Sequence, residues 1–154
     1  MRGNAAGTRP VTVEVFLLRA AGGALAYRRC AGALGPDEHP DAAARRLGGV
    51  RDDGPLVHST SWRCDADGGV VLTYAVVPDP GAAAPATPLG AAGIARGERG
   101  RPSPASLEPA QVAAHAARHL AFLAEHDPEA RDALNDPLLA EALARHAPGL
   151  AGRV

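Results

Sequence analysis

The sequence predicts an α+β domain organised around a mixed or antiparallel sheet. Three observations predict it. Two pairs of strand-like segments are each joined by a glycine-containing turn. A short Ala- and Arg-rich helical segment separates the pairs. Helical patterns then occupy the chain after a long connection rich in Pro, Gly and Ala.

Residues 11–19, "VTVEVFLLR", are apolar and β-branched and read as a strand. "AAGGA" follows, with Gly22 and Gly23 free to take positive φ, and "LAYRRC" returns as a second strand. Residues 31–39 form a Gly/Pro loop. Pro40 suits a first helical turn, which needs no N–H donor there. "DAAARRL" favours helix over residues 40–47, and Gly48 and Gly49 stop it. "LVHSTSWRC" alternates Leu56, His58, Thr60 and Trp62 against Val57, Ser59, Ser61 and Arg63. This places Trp62 on the face of His58, in the core. "DADGG" turns the chain into "VVLTYAVVP", which is apolar on both faces and therefore central in its sheet.

Residues 79–105 show no sustained periodicity and read as a linker or long loop. A helix of about five turns is expected from Pro109 to Asp127-Pro128, then one or two shorter helices broken near Asn135–Pro137. The organisation is thus a disordered N-terminus (1–10), a sheet and short-helix region (11–78), the connection (79–105) and a C-terminal helical region of the same domain (106–154).

Composition narrows the function classes. Hydrophobic residues make up 46%, enough for a packed core, but aromatic residues only 3%, so aliphatic side chains and alanine must build it. The basic residues number 16 and all are arginine; the net charge of −1 supplies no field for nucleic acid or an anionic membrane. No apolar run is long enough for a membrane span, and "MRGNAAGTRP" lacks the apolar core of a signal peptide. Cys30 and Cys64 lack CxxC spacing. A cytoplasmic location with reduced thiols is expected.

The segment Gly32–Val50, "GALGPDEHPDAAARRLGGV", carries the strongest motif. Gly32 and Glu38 stand six residues apart, and Arg46 follows Glu38 by eight. With the preceding hairpin, this loop–helix segment resembles the Nudix superfamily box, G-x5-E-x7-R-E-U-x-E-E-x-G-U. The resemblance spans residues 11–78 and implies an α/β/α sandwich with a mixed sheet. It also implies Mg²⁺-dependent hydrolysis of nucleoside diphosphate derivatives. The box is degenerate, however. Leu47, Val50 and Arg51 stand where its glutamates belong, Gly48 replaces the bulky aliphatic residue, and Asp53 the last glycine. Mg²⁺ requires hard oxygen ligands, and these residues offer none.

Arg28, Arg29, Arg45, Arg46 and Arg51 cluster around this loop and helix in sequence. The expected anion site comprises Arg45, Arg46 and Arg51 with Glu38, since guanidinium groups bind phosphate or carboxylate without a metal. Arg46 is alternatively expected to pair locally with Glu38, Asp52 or Asp53. On the long helix, His115, His119 and His126 fall within roughly 40° of one another, a weaker metal-site alternative that needs a carboxylate from elsewhere, since Glu125 and Asp127 are nearby only in sequence. "HSTSWR" lacks a nucleophile turn, and the absence of lysine excludes a P-loop.

The sequence-based expectation is a Nudix-like domain without catalytic residues or a cofactor, which binds an anionic small molecule or a protein partner. Homodimerisation is compatible with this reading. The alternatives are a divergent Nudix-type hydrolase using Mg²⁺ and a metal enzyme built on the histidine helix. A purely structural interaction protein is the third class.

Overall fold

The computed structural model describes residues 9–81, 83–90 and 108–146. Nine elements are formed among them: β1 (Val11–Ala21), β2 (Ala24–Ala33), α1 (Pro40–Gly48), β3 (Leu56–Cys64), β4 (Val70–Val77), β5 (Thr87–Pro88), α2 (Pro109–His126), α3 (Pro128–Ala133) and α4 (Pro137–Ala144). The strands make one mixed open sheet in the order β3-β4-β1-β2-β5. β1 runs antiparallel to β2 and parallel to β4, and β3 runs antiparallel to β4. The fold is therefore α+β with both expected hairpins, and β4 lies inside the sheet as its two apolar faces require.

Local chemistry accounts for the turns. Gly22 and Gly23 have φ of 59° and 79°. Two consecutive positive-φ residues make the tight turn whose twist matches a β-hairpin. In α1, His39 caps the N-terminus by accepting from the Asp41 amide, Pro40 occupies the first turn, and Gly49 closes the C-terminus at φ 69°.

Each face of the sheet is covered differently. Val13, Val15 and Leu17 of β1 pack with Tyr74 and Val76 against Ala43 and Ala44 of α1. Phe16 and Leu18, pointing the other way, pack with Leu25, Tyr27, Ala75 and Val77 against α2 and α4. Ala113, Ala114, Ala116 and Ala117 make much of the buried face of α2. Small side chains let this helix lie close to the sheet, which is how an aromatic-poor sequence reaches interior packing density.

The expected face for Trp62 is incorrect. β3 pairs His58 with Ala75 but Trp62 with Leu72, with a register shift between Ser59 and Ser61. The extra residue, Thr60, is buried and donates its hydroxyl to the Thr73 carbonyl at 3.3 Å. One inserted residue exchanges the faces of everything beyond it. His58 consequently faces α2, while Trp62 lies on the opposite face, 69% exposed.

The connection after β4 starts as part of the domain. Asp79 is buried, Thr87 and Pro88 pair with β2, and Leu89 enters the α2-side core. The rest of the expected linker, residues 91–105, lies outside the described residues, as do 1–8 of the N-terminal segment.

Candidate anion-binding site

The loop before α1 is tied to the helix by one charged pair. Arg46 Nε donates to Glu38 Oε2 at 3.0 Å and Nη2 donates to Oε1 at 2.9 Å; Nη2 also reaches the Ala33 carbonyl. The Gly35 amide donates to Glu38 at 3.0 Å. The Arg46 hydrogen bond, followed by that of Gly35, draws the Glu38 carboxyl down to about 2. Arg45 donates to the Asp52 carbonyl at 2.7 Å and lies 3.9 Å from Asp53, while Arg51 is exposed. The α1 arginines thus do not converge with Arg28 and Arg29, which point to opposite faces of β2.

Of the three positions aligned with the missing box glutamates, Arg51 is exposed, whereas Leu47 and Val50 are apolar packing positions. Val50 belongs to the α1-side core and Leu47 packs against its edge. A Cβ on Gly32 would come within 2.8 Å of Leu47 Cδ2, so the leucine lies directly on the glycine backbone. Glu38 is already engaged by Arg46 and Gly35. These residues do not fit a Mg²⁺ site.

The histidine stripe divides. His119 meets His58 of β3 at a ring-centroid distance of 5.2 Å, and burial followed by the neighbouring His58 and His115 lowers its pKa. His126 instead stacks on Phe122 at 4.2 Å and contacts that residue's carbonyl. His119 Nδ1 is buried and has no hydrogen-bond partner among the described residues. No group of three His, Cys, Asp or Glu side chains among the described residues is arranged to hold a metal ion.

Two carboxylates are buried among the described residues, Glu14 on β1 and Asp79 just after β4. Asp79 accepts from Arg28 Nε at 2.7 Å, Arg28 Nη2 at 2.8 Å and the Gly81 amide at 2.7 Å. Arg19 stands 3.8 Å away and donates to the carbonyls of Gly81 and Ala84. This group locks the loop after β4 onto β1 and β2.

Glu14, 1% exposed, sits on β1 between two arginines. Arg63 of β3 donates from Nη1 to Oε1 at 2.8 Å and from Nη2 to Oε2 at 3.0 Å. Arg29 of β2 donates from Nε to Oε2 at 2.7 Å, with Nη2 also 2.7 Å from Oε2. Thr73 donates its hydroxyl to Oε1 at 3.1 Å. Burial alone would raise the carboxyl pKa, but hydrogen bonds and charge from Arg63 and Arg29 outweigh it and hold Glu14 ionised. Two guanidinium charges against one carboxylate leave one positive charge in excess.

Glu14 and Arg63 were not expected as site residues. The available signal is a single glutamate inside "VTVEVFLL", at a position whose neighbours two and four residues on, Phe16 and Leu18, are core residues. A charge there must be paired, although the pattern does not reveal by what.

No protein-family model matches the chain, and no curated protein or solved structure matches it significantly. No helix among the described residues is long and apolar enough to cross a membrane.

Proposed function

We propose that this chain is a Nudix-like domain that has lost metal-dependent hydrolysis and acts by binding an anionic small molecule. The observation that carries the reading is the loop–α1 segment. Glu38 and Arg46 keep the box spacing and pair across the loop. The remaining ligand positions have become a packed leucine, a buried valine and an exposed arginine. The charged loop then serves as a brace for α1 instead of a metal cradle. Helices on both faces of a mixed sheet agree with the same fold family.

Without carboxylates at Leu47, Val50 and Arg51, the loop–α1 segment offers no ligand set through which Mg²⁺ would activate water on a diphosphate. Its arginines retain the chemistry for anion recognition. A screen of nucleoside diphosphate derivatives with Mg²⁺ or Mn²⁺ is expected to release neither phosphate nor nucleoside monophosphate. In parallel, pyrophosphate or a nucleotide should raise the melting temperature, because a ligand bound to the native state stabilises it by mass action. Robust metal-dependent turnover that disappears in Glu38→Gln would defeat the reading.

A further inference from the structure

We propose that Glu14, Arg29 and Arg63 form the anion site, and that it takes the phosphoryl group of a small molecule. This assignment rests on the anion-binding reading above and locates it on the sheet face opposite α1.

A buried carboxylate needs one well-placed cation for neutrality, and Glu14 has two. The Asp79 group resembles it in charge, yet there Arg19 is directed at loop carbonyls. Arg46 is likewise committed to Glu38 and the Ala33 carbonyl. The Glu14 arginines differ because donors remain. Among the described residues, Arg29 Nη1 and Arg63 Nε have no acceptor.

Small residues border the group on the solvent side. Ala31 stands directly across from Glu14 on β2 and is exposed. Ser61, across from Thr73, is half-buried and adds a hydroxyl to the same face. The apolar layer under α2 includes Phe16 and Leu18 but stops short of Glu14. The carboxylate fixes both guanidinium groups before a ligand arrives, which lowers the ordering cost of binding. A phosphoryl group offers more acceptor oxygens than a carboxylate, and planar guanidinium forks match its geometry. One excess charge on a chain of net charge −1 suits a small ligand, not a polyanion.

The test is calorimetric titration of the full chain with inorganic phosphate and pyrophosphate at constant ionic strength, with backbone amide shifts recorded alongside. Binding should shift the amides of Ala31 and Ser61. Arg29→Lys keeps the charge but loses the fork, and should weaken binding by about tenfold or more. Arg29→Ala should weaken it further, and an unchanged far-UV spectrum of the lysine variant separates lost binding from lost fold. Binding that survives in Arg29→Lys but disappears in Arg51→Ala, with shifts in the α1 loop, overturns this assignment and leaves the anion-binding reading standing. No heat and no shift with millimolar anion overturns both.

Discussion

Glu38 in the loop before α1 and Glu14 in the middle of the sheet are both held by arginine forks, yet the two regions use them differently. Arg46 lies eight residues from Glu38 in the chain, and its side chain is 52% exposed. Arg63 lies 49 residues from Glu14, and the side chains are 22% and 2% exposed. The loop pair closes a short local ring in contact with water. With Arg29, the sheet group joins three strands through a carboxylate that is almost fully buried. A large pKa shift at Glu38 therefore reports hydrogen bonding, not stability, because solvent screens an exposed pair. At Glu14 the ion pairing offsets a loss of hydration that an exposed carboxylate does not suffer.

The sharpest break in this comparison is Glu14→Gln. A neutral amide leaves two guanidinium groups facing one another without a counter-charge. Urea unfolding should show a loss of about 3 kcal/mol. A loss below about 1 kcal/mol, the range of surface pairs, would mean that the buried carboxylate is dispensable.

Gly81→Ala extends the comparison to the second buried carboxylate. An added Cβ would stand 2.5 Å from Arg28 Nη2 and 3.0 Å from its Cζ. Asp79 holds that guanidinium at two points, so it cannot move aside without breaking the brace. A destabilisation of about 1–2 kcal/mol is expected from such overpacking. Equal unfolding midpoints for the variant and the parent would show that the loop relaxes freely.

The smallest effect should come from Glu38→Gln. At neutral pH its melting temperature should stay close to the parent's. The difference appears in acid. The folded Glu38 carboxyl is depressed from 4.5 to about 2. Whatever the pair contributes is present above pH 4.5 and is lost as pH falls toward 2. Unfolding curves across that window should converge at the acid end. A gap that widens on acidification would reverse the sign and contradict the pairing.

How far these groups could be read from the sequence follows the same divide. Glu38–Arg46 is legible because both residues sit in one loop–helix segment with a spacing set by helical geometry. Asp41 as the hydroxyl acceptor of Tyr74 at 2.5 Å is not, because β4 lies 33 residues further on. The histidines teach the same lesson. Helical spacing grouped His115, His119 and His126, whereas β3 brings His58 to His119, and His126 turns back to its own helix. The Trp62 face depended on one bulged residue, and no periodicity announces a bulge before the strand is paired.

By itself, then, the sequence determined the ends of most elements, though not β5 within the expected linker: the double-glycine turn, the Pro40 and Gly49 boundaries of α1, and the proline starts of the later helices. These depend on φ preference, missing donors and local capping, which act within a few residues. Only the tertiary structure decided which charges meet. Strand order and register place Arg29 and Arg63 on either side of Glu14, and Arg28 on Asp79. A buried carboxylate takes its partner from whatever strand lies beside it, and adjacency in a sheet is independent of separation along the chain.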